Sequence, residues 1–274
     1  MKLKQSLRRT NLFEFTKSIK DYYSRIDDNK INIIVITGSA SGLGRLLTHY
    51  FSEEGYRIIG IDIKDRETLD EKTRQSLTDY YVLDLFNLHT IAPMIREIEK
   101  KHSRIDVLIN NAGILDFKLL DQYSVEEINR IITVNLTSCI VLIKHVIPVM
   151  QKNKFGRIVN ISSISAFQAE DKFEIYSPTK AGMMMMSDSI AKWTHNKLDG
   201  NITSNSFNPD RINTPEYIGQ NPNIDLKNVI SSRAIFKKIK RVITSNVNGS
   251  TYVFTGFTKR MKFFMNFYRK FFGH

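Results

Sequence analysis

The amino-acid sequence predicts an α/β fold in which one doubly wound parallel sheet lies between two layers of helices. Three observations carry this prediction. Short apolar runs rich in isoleucine and valine recur along the chain, as in strands that are buried on both faces. Stretches of helical length and composition separate these runs. The 274 residues are 42% hydrophobic, which is enough for one large core and argues against a disordered chain. The single cysteine excludes a disulfide framework within the chain.

The predicted elements alternate along the chain from residue 31 onwards. We expect strands at Ile31–Thr37, Arg57–Asp62, Tyr80–Leu83, Ile105–Asn110, Arg157–Ile161, Asn201–Phe207 and Thr251–Thr255. We expect helices at Leu43–Glu54, Arg66–Ser76, Leu88–Lys101, Val125–Gln151, Tyr176–Leu198 and Leu226–Thr244. This alternation is typical of βαβ units, which build a parallel sheet covered on both faces. Ligands bind such sheets beyond the carboxyl ends of the strands.

The net charge of +12 is concentrated at the two ends of the chain. Residues 1–30 carry eight basic and four acidic side chains, and residues 231–274 carry ten basic and no acidic ones. The near-neutral middle argues against a nucleic-acid groove, so no nucleic-acid partner is expected. We therefore divide the chain into a basic amphipathic N-terminal extension (1–30), a Rossmann-type single domain (31–256) and a basic, aromatic C-terminal tail (257–274).

The two extensions have amphipathic helical patterns. In the tail, aromatic residues and methionines share one side of a helical projection, and basic residues share the other. This pattern fits peripheral contact with an anionic membrane surface, and it equally fits packing on the protein's own body or on a partner subunit. A mitochondrial presequence is the less favoured alternative for the N-terminal arm, because Glu14 interrupts it. No secretory signal or long apolar span is seen in the sequence, so we expect a cytoplasmic protein, with or without membrane-surface contact.

A glycine-rich turn follows the first strand and opens the first helix. Its glycines let a ligand approach the backbone, and the helix start offers free N–H groups to a pyrophosphate. A tight strand-to-helix connection is the alternative, and the position after strand one favours phosphate binding. The predicted contacts in this turn are Thr37, Gly38, Ser41, Gly42, Leu43 and Gly44.

Asp62 ends the second strand, where a carboxylate can accept hydrogen bonds from both ribose hydroxyls of an adenosine. The same carboxylate would repel a 2′-phosphate. NAD is therefore favoured over NADP. Three basic residues close by, Arg45, Lys64 and Arg66, leave NADP open.

Later segments bring acid–base groups to the same edge of the predicted sheet. Ser163 follows the fifth strand, and Tyr176 and Lys180 lie four residues apart on a predicted helix, which places both on one face. An ammonium beside a phenol favours its ionisation, so Tyr176 suits a general acid/base role near neutral pH. Ser163 can hold a substrate oxygen by a hydrogen bond. The histidines show no ligand spacing with acids or cysteine, so no metal site is expected.

Together these motifs resemble the short-chain dehydrogenase/reductase family over about two thirds of the chain. The matching residues are Thr37, Gly38, Gly42 and Gly44, then Asp84, the Asn110-Asn111-Ala112-Gly113 segment, Asn135, Ser163, Tyr176, Lys180, Asn208, Pro209, Thr214 and Pro215. The resemblance implies NAD(P)-dependent hydride transfer between a secondary alcohol and a carbonyl compound, with the hydride chemistry supplied by the cofactor.

The resemblance also implies a role for each matching residue. Tyr176 would exchange the proton, Lys180 would assist it and bind the nicotinamide ribose, Ser163 would orient the carbonyl, and Asn135 would hold a water in a proton relay. The adenosine contacts would be Asp62, Asp84 and Leu85. The remaining cofactor contacts would be Asn111, Ala112, Gly113, Pro209, Ile212 and Thr214, the last two at the carboxamide.

Two departures from the family pattern stand out. Asp210 occupies a position where the family commonly has glycine, and residues 216–228, where a substrate lid is expected, are short and polar. Relatives commonly pair through the helices that here carry Asn135 and Tyr176, so a homodimer or homotetramer is expected. The apolar basic ends suggest a lipidic substrate. The alternative to an enzyme is a catalytically silent nucleotide sensor or scaffold of the same fold, against which the intact Ser163, Tyr176 and Lys180 set argues.

Overall fold

Seven parallel strands form one sheet in the order β3-β2-β1-β4-β5-β6-β7. The structure, a computed structural model, describes residues 31–168, 170–198, 201–226 and 229–255. The predicted N-terminal extension and C-terminal tail lie outside the described residues. The strands are β1 (Ile33–Thr37), β2 (Arg57–Asp62), β3 (Asp79–Val82), β4 (Val107–Asn110), β5 (Gly156–Ile161), β6 (Ile202–Pro209) and β7 (Thr251–Phe254). The predicted fold class is confirmed, and every predicted strand is present.

Eight α-helices are found in the described part of the chain. They are α1 (Gly42–Glu53), α2 (Glu71–Ser76), α3 (Ile91–His102), α4 (Val125–Ile132), α5 (Ser138–Lys152), α6 (Tyr176–Lys197), α7 (Pro215–Gln220) and α8 (Ser232–Ile243). They cover both faces of the sheet. On one face, α1 and α8 pack their apolar sides on alternate strand residues, and on the other face α3 and α5 do the same. The result is the expected three-layer arrangement.

Two predicted helices are wrong in extent, each for a local reason. The predicted Arg66–Ser76 helix is a short 3-10 turn followed by α2, because the side chain of Asp70 accepts a hydrogen bond from Thr73 N and starts a new helix. The predicted Leu226–Thr244 helix begins only at Ser232. The chain before it forms a parallel bridge to Ile212, in which Ile230 N donates to Arg211 O, and this excludes a helical backbone.

The predicted long helix Val125–Gln151 is interrupted at its centre by one π-helical segment, Thr133–Thr137, which joins α4 to α5. Such π-segments are rare and concentrate at functional sites. The helical stretch Val125–Lys152 is long and apolar enough to cross a membrane, but half of its most apolar part is buried inside the protein. Its apolar side packs on the sheet, as expected of a core helix.

The strand order brings the ends of β1, β4 and β5 together at the carboxyl edge of the sheet. β1 pairs with β2 on one side and with β4 on the other, so the chain winds in opposite directions from this point. In open parallel sheets, ligands bind in the crevice at this reversal. The glycine-rich turn after β1 and the Asn110–Gly113 segment after β4 both lie there.

Candidate active site

The glycine-rich turn is tied to the segment that follows β4. The hydroxyl oxygen Oγ1 of Thr37 accepts hydrogen bonds from the backbone N–H groups of Asn111 and Ala112, each at 3.0 Å. The Asn111 side chain donates back to the carbonyl oxygens of Thr37 and Gly38 at 3.0 and 3.3 Å. The sequence predicted both segments as cofactor contacts, and the structure brings them into direct contact.

Glycine is required at three positions of this turn for two different reasons. Gly38 and Gly42 have φ angles of +67° and +52°, which other residues adopt only with strain. A Cβ at Gly44 would collide with the Gly38 carbonyl group and the Asn111 side chain. A Cβ at Gly42 would meet no described atom within 4 Å, so this glycine presents bare backbone to the cleft.

The start of α1 and the carboxylate of Asp62 are the groups suited to a dinucleotide. Among the described residues, no side chain caps the N-terminus of α1, so its first N–H groups and positive dipole end face the cleft. Asp62 is buried at the end of β2 and accepts hydrogen bonds from Ala40 N at 2.9 Å and Lys64 N at 3.2 Å. A carboxylate offers about four acceptor positions, so Asp62 also retains capacity for ribose hydroxyls.

The three basic residues near Asp62 have different environments. Arg45 is held in ion pairs by Asp70 at 3.3 Å and by Glu216 at 2.9 Å. Lys64 and Arg66 are exposed. Arg45 is therefore already neutralised by two carboxylates, whereas Lys64 and Arg66 face solvent.

The predicted adenine contacts, Asp84 and Leu85, lie beyond the end of β3. Asp84 Oδ1 accepts from Phe86 N at 3.0 Å, and Oδ2 accepts from Arg130 at 2.9 Å. The Arg130 guanidinium also lies over the Phe86 ring at 5.2 Å. The sequence did not single out Arg130, because its partner lies 46 residues away and no local pattern links them.

Asn135 lies in the π-helical segment and is fully buried. Its Oδ1 accepts from Ile114 N at 2.7 Å, and its Nδ2 donates to Ile114 O at 2.8 Å and to Thr179 Oγ1 at 3.3 Å. These bonds fasten the loop after β4 to α6. Gly113 in that loop keeps the space open, since a Cβ there would lie 3.4 Å from the Lys180 ammonium.

The geometry of Tyr176 and Lys180 follows from their spacing on α6. The Lys180 ammonium lies 5.5 Å from the centroid of the Tyr176 ring. Lys180 is only 3% exposed and donates one hydrogen bond, to Ile161 O at 3.0 Å. Ser162 holds the helix in register by donating to Lys180 O at 2.7 Å. Among the described residues, no carboxylate forms an ion pair with this buried cation. It therefore keeps donors for a ligand.

The Ser163 hydroxyl, which the sequence predicts to hold a substrate oxygen, is hydrogen-bonded to Ser165. It accepts from Ser165 N and donates to Ser165 Oγ, both at 3.1 Å, and so caps the 3-10 turn Ile164–Ala166. The inner cavity, of about 180 Å³, is lined by Ser162, Tyr176 and Lys180 among other residues, and the wider cleft by Ser165. To hold a substrate oxygen, the Ser163 hydroxyl would have to leave Ser165.

The segment after β6 forms the far wall of the cleft. Pro209 and Asp210 line the inner cavity, and Ile212 lines both cavities. Thr214 caps α7 by accepting a hydrogen bond from Tyr217 N at 3.2 Å. The segment expected to be a polar lid, residues 216–228, thus begins with most of α7, whose Tyr217 lines the cleft beside the capping Thr214.

The arrangement fits a dinucleotide whose reactive ring reaches the inner cavity. Bare backbone at Gly42, an uncapped helix start among the described residues and spare acceptors on Asp62 suit the phosphates and the ribose. Spare donors on Lys180 beside Tyr176 suit a second ribose and a reacting oxygen.

Comparisons with known proteins identify the family of this chain. The sequence profile of the short chain dehydrogenase family matches residues 32–224. A 3-oxoacyl-[acyl-carrier-protein] reductase of Thermotoga maritima is 35% identical over 189 residues, covering 67% of this chain and 75% of that protein. A D-beta-hydroxybutyrate dehydrogenase of Rhizobium meliloti is 30% identical over 187 residues, covering 66% and 71%. The solved structure of 4-hydroxyisoleucine dehydrogenase complexed with NADH gives a TM-score of 0.71 at 26% identity, covering 82% of this chain and 97% of that one.

Proposed function

The chain belongs to the short-chain dehydrogenase/reductase family and is an NAD(P)-dependent oxidoreductase, and from this premise we propose that it interconverts a secondary alcohol and a ketone with NAD as the preferred cofactor. The observation that carries the proposal is the pairing of the half-buried Tyr176 with the buried ammonium of Lys180 at the carboxyl edge of the sheet, beside the glycine-rich turn. The cofactor supplies the hydride, and the protein supplies position and charge.

Tyr176 moves the proton in this proposal. Its phenol oxygen gives a proton to the substrate oxygen during ketone reduction and takes one during alcohol oxidation. Lys180 stabilises the ionised phenol by its positive charge, and its remaining donors bind the nicotinamide ribose. The low exposure of Lys180 strengthens both interactions, because little water screens them.

Ser163 and Asn135 support that proton transfer. Ser163 donates its hydroxyl to the substrate oxygen after exchanging its Ser165 contact. Asn135 holds the loop after β4 against α6 and shapes the path by which a water and Lys180 return the proton to solvent. Both roles follow the family resemblance. The bonds from Asn135 to Ile114 and Thr179 support its part in holding the loop, whereas the Ser163 role requires its hydroxyl to exchange partners.

The preference for NAD rests on charge. Asp62 is buried where the adenosine ribose would lie, and Arg45 is neutralised by Asp70 and Glu216, so it offers little to a 2′-phosphate. Exposed Lys64 and Arg66 are the groups that would favour NADP. The adenine would lie near the Asp84 carboxylate and the Leu85 backbone, just beyond the end of β3.

Fluorescence titration of the purified chain with NADH and NADPH tests the proposal. We expect tighter NADH binding, and Tyr176→Phe should keep that affinity while losing turnover of ketones by about 10²- to 10⁴-fold. Tighter NADPH binding would overturn the NAD preference. Full turnover by Tyr176→Phe would overturn the assigned proton donor and favour a nucleotide sensor.

Assembly and location extend the proposal. We propose a homodimer or homotetramer, supported by exposed apolar side chains on the long helices, which include Ile132, Ile140 and Met185. Light scattering of wild type and Ile140→Lys would test it, with a smaller particle expected for the variant.

We also propose a cytoplasmic protein whose basic extensions contact membrane surfaces. Flotation with anionic liposomes tests this proposal, and an absence of binding would contradict it.

A further inference from the structure

The cleft in front of Tyr176 is far larger than the inner cavity. It has a volume of about 1130 Å³ and shares Leu43, Leu115, Asp210 and Ile212 with the cavity that Tyr176 and Lys180 line. One wall is formed by the glycine-rich turn and the segment after β6. The opposite wall belongs to the loops after β4 and β5 and includes Leu115, Phe117 and Phe173.

That opposite wall carries a row of aromatic rings ending at the proton donor. The Phe173 ring packs edge-on against the Tyr176 ring, with centroids 5.5 Å apart. Phe117 packs on the other side of Phe173, again with centroids 5.5 Å apart. Phe117 is 62% exposed and Leu115, next along the wall, is 41% exposed. Large apolar side chains at the surface of a cleft gain free energy when a ligand covers them.

The charges of the same cleft are mainly negative. Among the described residues that line it, the carboxylates of Glu170 and Asp171 stand against the guanidinium of Arg211. Gln168 donates a neutral hydrogen bond to Glu170 at 3.2 Å, which leaves the charge of that carboxylate in place. Lys180 is the cation of the inner cavity, where it serves Tyr176 and the ribose. A small anion in this cleft therefore meets more repulsion than attraction.

We infer that the substrate carries a neutral, apolar chain next to its reacting carbon, that this chain packs on Phe117 and Phe173, and that small oxo-acid anions are rejected. The inference rests on the proposed function and names its substrate class: neutral ketones with an apolar chain. Phe117 and Phe173 are thereby residues that determine specificity. Anionic substrates like those named for some relatives would instead require Arg211 as an anchor.

A matched set of three ketones tests the inference on the full chain with saturating reduced cofactor. Acetoacetate and ethyl acetoacetate differ in charge and by one ethyl group, so the Asp171 variant below isolates the part due to charge. Ethyl 3-oxohexanoate adds two methylenes to the ester. We expect kcat/KM for ethyl acetoacetate to exceed that for acetoacetate at least about tenfold. The two methylenes should raise kcat/KM about tenfold more, since each buried methylene contributes a factor of roughly four.

Four variants assign these effects to residues. In Phe117→Ala, the gain from the added methylenes should fall below about threefold, with ethyl acetoacetate nearly unaffected. Leu120→Ala is the control, because Leu120 is an exposed apolar residue of the same loop that does not line the cleft. Asp171→Asn should raise kcat/KM for acetoacetate several-fold. Equal use of acid and ester, with loss of the acid in Arg211→Ala, would overturn the inference.

Calorimetric binding of ethyl 3-oxohexanoate and acetoacetate separates this inference from the proposed function. Tighter binding of the ester that depends on Phe117, in a protein without turnover, would support the apolar site and refute the catalytic proposal. Equal binding of both compounds to wild type and Phe117→Ala would refute the apolar site, whatever the turnover.

Discussion

Buried charged side chains have different surroundings at the two edges of the parallel sheet, the amino edge where the strands begin and the carboxyl edge where they end. At the amino edge, the fully buried Asp106 accepts from Asn32 N, Ile33 N and the Arg104 guanidinium at 2.5–2.9 Å. Arg157, 2% exposed, donates to four oxygens, and its guanidinium lies 4.3 Å from the Phe155 ring centroid. Burial lowers the pKa of Arg157 to about 10, so it stays charged at neutral pH.

At the carboxyl edge, the buried polar groups keep unused capacity. Lys180 uses one of its three donors on Ile161 O, and Asp62 uses about half of its acceptor positions on two backbone N–H groups. Burying such groups without full hydrogen bonding costs free energy, which a ligand that completes the bonds can recover. For these four charged residues, hydrogen-bond saturation, rather than burial or charge, distinguishes the amino edge from the edge where we propose that the cofactor binds.

Lys180→Met gives the largest expected difference between the edges. Turnover should fall about 10²- to 10⁴-fold, because the ionised phenol loses its cation, while the free energy of unfolding changes by about 1 kcal/mol or less. Steady-state kinetics and urea unfolding measure both. Lys192→Met, an exposed lysine on the same helix, is the control. A large loss of stability with intact turnover would contradict the comparison.

Asp106→Asn should have the reverse effect. Loss of the buried carboxylate leaves Arg104 and two backbone N–H groups poorly paired, so the free energy of unfolding should fall by about 3 kcal/mol. Turnover per folded molecule should stay unchanged. The exposed Asp121→Asn provides the control for the substitution itself. An unchanged urea midpoint for Asp106→Asn would break the argument that this charge is structural.

The amino edge should also set the acid stability of the protein. Burial opposes ionisation of Asp79, but hydrogen bonds from Lys101 and His102 outweigh it and lower the pKa of Asp79 below its ordinary value of 3.8. Arg57 donates to His102 Nδ1, so the other ring nitrogen donates to Asp79. A lowered carboxyl pKa contributes stability above the unfolded value and loses it as pH falls through the folded value.

Wild type should therefore be more stable than Asp79→Asn by about 1–2 kcal/mol at pH 7. The difference should shrink steadily below about pH 4. Urea unfolding of both proteins between pH 7 and pH 2.5 measures it. A difference that grows in acid would show that the sign of the linkage is wrong.

Arg45→Gln gives the smallest expected effect and sharpens the comparison at the carboxyl edge. Arg45 joins α1 and the Asp70 cap to Glu216 of α7, which carries Thr214 and Tyr217 on its cleft side. Half-exposed ion pairs contribute little, so KM for the ketone should rise only about two- to fivefold. Glu216→Gln should match it, and the double variant should show no further rise. Arg74→Gln, whose partner Glu71 lies on its own helix, is the control.

Most of the fold and the candidate motifs could be predicted from local pattern. The predicted bounds of all seven strands lie within about two residues of the observed ones. Continuous apolar, β-branched runs are clearest at β1, β2, β4 and β5, because strands buried on both faces leave that signature. The start of α8 was missed because the preceding bridge to Ile212 depends on a partner outside any local window. Phe117 was missed because its loop carries several apolar residues without a regular period, so no local pattern distinguishes the one that packs on Phe173.

The sequence alone determined the order of strands and helices and the residue types at the ends of β1, β4, β5 and β6. These features depend on short-range spacing, such as Tyr176 and Lys180 four residues apart on one helix. Only the tertiary structure decided which charged side chains have all their hydrogen-bonding positions filled. Arg157 finds Ile243 O across 86 residues, and Arg45 is held by carboxylates from two distant segments, while Lys180 keeps free donors. Hydrogen-bond saturation depends on contacts between residues far apart in the chain, which no local pattern encodes.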